Sequence, residues 1–222
     1  QKQSKVCTYI QNLRVVLEPI LKLSTMLPED LGMRFLSVLL LALITSSIHA
    51  QTTWYVDDDG KDNPKAQFTD IQSAVDAASD GDEIVVAPGN YRGDPQSDTV
   101  ISVLNEWPMM TKSIVIRSSH GPDVTTIDGE NSRRGILYYG FSTLTPCTVL
   151  FDGFTIANGF ADTYPFGGGM GIVGSGNDLL TVTNCIFRNN TSIAIGGGMA
   201  IMNRFESSTT LTNCTFENNT AV

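Results

Sequence analysis

The residues best equipped for chemistry are carboxylates. Asp57-Asp58-Asp59 with Asp62 is the densest acidic group, and convergent carboxylate oxygens are what Ca²⁺ requires. The run lacks the Asp-x-Asp-x-Asp-Gly spacing of an EF-hand loop and lies beside Gly60, Asn63 and Pro64, so a solvated turn is expected. Asp128 and Glu130 stand close to Arg133-Arg134. Carboxylates beside a basic group can move protons, but the expectation here is a surface salt-bridge cluster of little energetic weight. His120 sits alone in a Ser-Ser-His-Gly-Pro turn, which is weak ground for catalysis. Asp152 occupies a position held by Thr183 and Thr212 in later repeats and reads as a turn Asp. Trp107, Tyr138, Tyr139 and Tyr164 are candidate exposed aromatics that would stack on sugar rings. On these grounds no catalytic, cofactor-binding or metal-ligating residue is assigned.

The elements that must position such groups show themselves as a repeat, the feature to seek first. Phe151-Asp152-Gly153-Phe154-Thr155-Ile156-Ala157-Asn158-Gly159 aligns without gaps with Val182-Thr183-Asn184-Cys185-Ile186-Phe187-Arg188-Asn189-Asn190 and with Leu211-Thr212-Asn213-Cys214-Thr215-Phe216-Glu217-Asn218-Asn219. Gly167-Gly168-Gly169-Met170 recurs in step as Gly196-Gly197-Gly198-Met199. Phe151, Val182 and Leu211 then share a column, as do Phe154, Cys185 and Cys214, and Ile156, Phe187 and Phe216. Alternation of period two within each unit means short strands. One such coil cannot bury its apolar side chains alone; stacked coils can, at about 4.8 Å spacing. Asn at the bend is expected to form a ladder from coil to coil. The triple glycine marks a close turn with no room for a side chain or a backbone of positive φ. A propeller needs a longer period, a leucine-rich repeat needs more Leu per coil, and a sandwich would not repeat its columns so faithfully. The fold class expected is all-β, a parallel β-helix.

The stretch before the regular repeats is less uniform. Thr53–Val56 reads as a strand, Asp57–Pro64 as a turn-rich loop, and Phe68–Ser79 as an amphipathic helix with Phe68, Ile71, Ala74, Val75 and Ala78 on one face, ended by Gly81. Ile84–Ala87 is a strand before a Pro88-Gly89 turn. A helix here would cover the open end of the stack. Residues 51–93 are therefore taken as an N-terminal cap and first coil, 94–148 as irregular coils, and 149–222 as regular repeats. Within 94–148, Ser113–Ser118 and Thr125–Gly129 belong to an early coil, and Asn131–Thr145 holds a further strand and a loop.

Met33 to Ala50 reads MRFLSVLLLALITSSIHA: a positive Arg34, an apolar run from Phe35 to Ile44, then small or polar residues. This is the layout of a secretory signal peptide, and the apolar run is too short to span a membrane. Residues 1–32, with an apparent helix over Tyr9–Leu27, read as a non-native upstream extension. The chain stops at Val222 where another Gly-Gly motif is due, so a fragment is expected whose exposed last coil aggregates. With Cys7 upstream, the exported part keeps Cys147, Cys185 and Cys214; an odd number excludes a fully paired disulfide scaffold. Cys185 and Cys214 are expected as stacked buried thiols, with an inter-coil disulfide as the alternative. Residues 51–222 carry 9 Lys and Arg against 20 Asp and Glu, a net −11. That acidity repels phosphate backbones and excludes nucleic acid as a partner. Glycosylation sequons such as Asn189-Asn190-Thr191 and Asn218-Asn219-Thr220 are by-products of the ladder-and-turn pattern.

Trp54–Gly93, with Gly81-Asp82-Glu83-Ile84-Val85-Val86-Ala87-Pro88-Gly89-Asn90-Tyr91 after the helix, resembles the opening of pectin-lyase-like β-helix proteins of bacterial surfaces. Phe187-Arg188-Asn189-Asn190, Gly196-Gly197-Gly198-Met199 and Phe216-Glu217-Asn218-Asn219 resemble the repeat of the chlamydial polymorphic outer membrane proteins. The resemblance covers most of residues 54–222. It implies a right-handed parallel β-helix, export, and a place outside the cell or on its outer surface, where family members often carry a C-terminal membrane barrel. The function expected is adhesion or binding without catalysis, with a carbohydrate or a host or cell-surface protein as partner. The alternative is a polysaccharide lyase or hydrolase acting on acidic polysaccharide, since such enzymes on this fold use carboxylate clusters with Ca²⁺ and a basic residue. No cofactor is expected, and no transmembrane segment.

Overall fold

The computed structural model describes residues 51–104, 112–140, 146–164, 166–174, 176–204 and 206–222. The signal-like stretch over 33–50, the helix expected over Tyr9–Leu27, Trp107 and residues 141–145 lie outside the described residues.

The chain winds as a parallel β-solenoid. It begins with β1 (Thr53–Val56) and a short helix α1 (Ile71–Ala77), then runs through β2 (Glu83–Val86), β3 (Gly89–Arg92) and β4 (Thr99–Leu104). The next turn holds β5 (Ile114–Ser118), β6 (Thr125–Asp128) and β7 (Arg134–Tyr139), followed by β8 (Thr148–Asp152), β9 (Thr155–Ala157), β10 (Phe160–Ala161) and β11 (Met170–Gly174). Then come β12 (Leu179–Thr183), β13 (Ile186–Arg188), β14 (Thr191–Ser192) and β15 (Met199–Asn203), and finally β16 (Ser208–Thr212), β17 (Thr215–Glu217) and β18 (Thr220–Ala221). The strands assemble into parallel sheets of six (β1-β2-β5-β8-β12-β16), five (β3-β6-β9-β13-β17), four (β4-β7-β11-β15) and three (β10-β14-β18).

Register carries the repeat into space. Trp54, Ile84, Ile116, Phe151, Val182 and Leu211 form one inward column of the six-stranded sheet. Tyr91, Ile127, Ile156, Phe187 and Phe216 form another in the five-stranded sheet, where the last two rings lie flat, 4.8 Å apart at 6°. Ile101, Ile136, Met170 and Met199 form a third. Burying one such side chain contributes about 1.5–3 kcal/mol, and a single coil could not collect it without the coil above and below. No disulfide joins the described cysteines: Cys147 and Cys185 are buried and Cys214 half-buried.

Side-chain amides lock the coils at two bends. At the first, Gly153, Asn184 and Asn213 all take positive φ, and Asn213 Nδ2 donates to Asn184 Oδ1 while Asn184 Nδ2 donates to Asp152 Oδ1, each at 2.7 Å. At the second, Asn158, Asn189 and Asn218 take positive φ, and the following residue turns inward. Asn190 is buried there: its Oδ1 accepts from Gly159 N at 2.7 Å and its Nδ2 donates to Ile156 O at 3.0 Å. Asn219 repeats the arrangement one coil on, donating to Phe187 O at 2.8 Å. Gly168 and Gly197 pass against backbone carbonyls (Thr191 and Thr220) where a Cβ would collide.

The helix is shorter than its pattern suggests. Asp70 caps it, accepting from Ser73 N, and Ile71, Ala74 and Val75 are buried. It ends at Ala77, because Ala78 is already extended (ψ 143°). Gly81 is therefore not its stop; with φ 90° it shapes the turn into β2. Phe68 lies outside the helix, bridging to Val56 and packing edge-on against Trp54 at 5.6 Å. No helix among the described residues is long and apolar enough to cross a membrane.

Candidate functional site

The acidic run at Asp57 is built as a loop brace. Its three carboxylates do gather, with one oxygen of each of Asp57, Asp58 and Asp59 lying within 4.8 Å of the others. Asp57 is buried and accepts from Asp59 N, Gly60 N and Asn63 N at 3.3, 3.1 and 2.5 Å. Asp58 accepts from Asn90 N at 3.1 Å, and Asp59 pairs with Lys61. These acceptors are committed to the backbone they fold. Asp82 does the same work at the next turn, buried and accepting from Thr52 N, Trp54 Nε1 and Ser79 N.

The expected salt-bridge group forms in part, with Arg92 reaching Asp128 and Glu130 at 3.8 and 3.6 Å, but Arg133 and Arg134 do not lie on the surface. Both are buried. Arg133 donates through Nη1 to Gly93 O and Asp94 O and pairs with Glu130 at 3.1 Å; Arg134 donates to Gly167 O and Thr163 O in the following coil. Guanidinium groups satisfy several loop carbonyls at once, so these side chains staple adjacent turns. Burial lowers the Arg134 pKa from its usual value. Tyr138 is likewise buried, not displayed. Burial, with Cys147 and Asp178 nearby, pushes its phenol well above the ordinary range. Of the other aromatics, Tyr139 is half-buried and Tyr164 exposed, the latter edge-on to Phe166 at 6.4 Å. His120 is exposed, and among the described residues its ring bonds only its neighbour Ser119, at 2.8 Å. Asp152 ends the asparagine ladder.

What the repeat alone did not reveal is a groove on the outer face of the five-stranded sheet. Side chains alternate across a strand, so the positions beside the inward column point out. In register they read Arg92, Asp128, Ala157, Arg188, Glu217: charged residues interrupted by one alanine. Ala157 itself is buried, and beside it lies a hollow of about 430 Å³ bordered by Asp128, Asn158, Arg188 and Asn189. That volume falls in the range of small-ligand pockets, roughly 300–1,000 Å³. Asp128 is held ionised. Partial burial opposes its charge, but donation from Asn158 Nδ2 (2.9 Å), Glu130 N (3.0 Å) and Asn90 Nδ2 (3.2 Å), with Arg92 at 3.8 Å, outweighs it and lowers the pKa. Arg188 and Glu217 are exposed, and among the described residues neither side chain makes a hydrogen bond or ion pair. The groove thus offers a fixed acceptor on one wall and an uncommitted donor on the other.

A second cleft, about 720 Å³, lies between α1 and β4, with Asp70, Asp76, Arg92 and Asp94 on its walls. Gln72 ties the two elements together, accepting from Ser102 N at 2.6 Å and donating to Ser102 O at 3.2 Å. Arg92 lines this cleft and also reaches the Asp128 end of the sheet groove. No protein-family model, curated protein or solved structure matches the chain. The architecture defines it as a parallel β-solenoid.

Proposed function

We propose that the protein is an exported or cell-surface β-helix that works as a binding scaffold without catalysis, with a carbohydrate or a cell-surface protein as ligand. The observation that carries this reading is the outward column Arg92, Asp128, Ala157, Arg188, Glu217 with the polar hollow that Asp128, Asn158, Arg188 and Asn189 border. Stacked coils present such positions as a continuous face, the arrangement repeat proteins use for extended ligands. Export rests on the signal-like Met33–Ala50, and the resemblance to bacterial surface β-helices supports right-handed winding and a capping role for α1. Binding is favoured over bond cleavage because Asp128 is ionised and already held by several donors, a poor state for a general acid.

The test is binding of the fluorescently labelled full chain to bacterial and animal cells and to immobilised glycans, alongside an assay for unsaturated products from pectin and alginate with and without Ca²⁺. Saturable binding with no product is expected. Steady release of unsaturated sugar would replace this reading with a lyase.

A further inference from the structure

We infer that the outward row of the five-stranded sheet is a self-association face, on which a second copy of this chain seats antiparallel, with Arg92 against Glu217 of that copy and Arg188 against its Asp128. This goes beyond the scaffold reading and uses the same surface, so a seated copy covers the polar hollow.

Coil by coil, the outward row reads Arg92, Asp128, Ala157, Arg188, Glu217: plus, minus, neutral, plus, minus. Taken from the other end, every sign is reversed about the neutral centre. Coil steps are equal at about 4.8 Å. A two-fold axis along the strand direction, at the level of β9, therefore brings each charge opposite its complement and Ala157 opposite Ala157. Such a contact is isologous and closes after two copies. A copy seated in the parallel sense would place Arg on Arg and carboxylate on carboxylate, which costs association. The row thus selects one orientation. The next row out, Asn90, Thr126, Thr155, Ile186 and Thr215, is uncharged, and so are the bend residues Asn158, Asn189 and Asn218 on the other side. No like charge in these rows opposes the antiparallel seat.

The charged groups are placed to respond. Arg188 and Glu217 are register neighbours, yet both are exposed and neither forms an ion pair among the described residues. The Arg92 side chain is 57% exposed, with only long contacts of 3.8 and 3.6 Å to Asp128 and Glu130. Asp128 is recessed, 13% exposed, and a recessed carboxylate suits a long, forked guanidinium. These pairs set orientation more than affinity, because exposed ion pairs add little each. Each copy also carries a net −11 over residues 51–222, and that like charge opposes approach. A face four coil steps long, roughly 19 Å, on strands of three residues stays below the roughly 800 Å² per partner of a standard interface. The dimer is weak and reversible.

Sedimentation of the full chain from micromolar to millimolar concentration reads the pairing, and a monomer–dimer equilibrium is expected. Arg92→Glu and Glu217→Arg are each expected to weaken it at least about tenfold, because each sets like charges opposite one another at two places. Mixed in equal amounts, the two variants are expected to recover a dimer within about threefold of the unmodified chain, since their changes meet across the axis and restore opposite signs. Arg188→Glu, which sets like charges against Asp128, is a third variant expected to weaken pairing at least about tenfold; it carries the test if circular dichroism shows Arg92→Glu to be unfolded. A monomer at every concentration, a dimer unchanged by Glu217→Arg and Arg188→Glu, or two folded complementary variants that do not pair when mixed would each overturn the face. The scaffold reading stands or falls on its own cell- and glycan-binding assay.

Discussion

Asn190 places its side-chain amide between two coils, accepting from Gly159 N and donating to Ile156 O while its own N–H donates to Asn219 Oδ1 at 3.0 Å. The residue is fully buried. Gly159 N and Asn190 N lie past the end of the β9–β13 ladder, and these side-chain bonds satisfy them. Replacing Asn190 by Ala strands the Gly159 donor inside the stack and removes the amide's bonds to Ile156 O and Asn219 Oδ1. A buried group left unsatisfied costs about 1–3 kcal/mol, so Asn190→Ala should lower stability by roughly that amount. Urea unfolding followed by circular dichroism measures it. A loss under about 0.5 kcal/mol, typical of an exposed site, would mean the inner ladder is ornamental.

The outer ladder should matter less. Asn184 is exposed and holds φ 52°. Asn184→Gly loses the 2.7 Å bonds to Asp152 and Asn213 but keeps the backbone at ease. Asn184→Ala loses both the bonds and the ease, because a Cβ disfavours that region by roughly 1 kcal/mol. Ala should therefore prove less stable than Gly at this position, an inversion of their usual order in regular structure. Thermal melts of the two variants side by side decide the matter; Ala at or above Gly would contradict the left-handed bend.

Phe187 is fully buried in the five-stranded sheet's column, stacked on Phe216 and level with Ile156. Phe187→Ala should cost about 3–5 kcal/mol. Phe216→Ala should cost clearly less, since Phe216 is 46% exposed on the final coil. Equal losses at the two positions, from parallel denaturant titrations, would show that Phe216 is covered in solution.

The columns and the bend ladder were legible in the sequence because they depend only on the repeat period and on side-chain alternation. Phe151, Val182 and Leu211 fall in register as their spacing implies. The rest depends on what covers what. Tyr138 and Arg134 share the inward parity of Ile136 in β7; their polar and aromatic types, not their spacing, pointed to the surface, and burial of the guanidinium depends on carbonyls that Thr163 and Gly167 supply from far along the chain. Asn189 and Asn190 are adjacent and chemically identical, and only the positive φ at Asn189 turns the next residue inward. The outward row Arg92, Asp128, Arg188 and Glu217 was not legible as one face, because only register places residues so far apart in sequence side by side.

Asp128 gives an acid-side test of the groove. Its folded pKa is lowered, so it contributes stability that is present above the unfolded carboxylate's pKa, about 3.9, and is lost as pH falls below that value through the folded pKa. Below about pH 3.9, the unmodified chain should lose melting temperature faster than Asp128→Asn, which has no charge to surrender. Parallel acid-side slopes would place Asp128 outside the donor network of Asn90, Asn158 and Glu130.

Cys185 gives the alkaline counterpart. Burial, with Cys214 nearby, pushes its thiol from 9.0 up to about 12. A raised folded pKa means the stabilisation is whole below the unfolded value and is lost as pH climbs from about 9 toward 12. Within that window the unfolded chain ionises the thiol and the folded chain does not, so each pH unit costs roughly 1.4 kcal/mol. Cys185→Ser or Cys185→Ala should flatten the alkaline limb of the melting curve. The same argument sets reactivity, because the thiolate is the nucleophile. At pH 8 iodoacetamide should modify the half-buried Cys214 first and reach Cys185 only on unfolding, as peptide mass mapping of the alkylated chain would show. Equal labelling of the two at pH 8 would mean that the final coil opens readily and exposes the column beneath it.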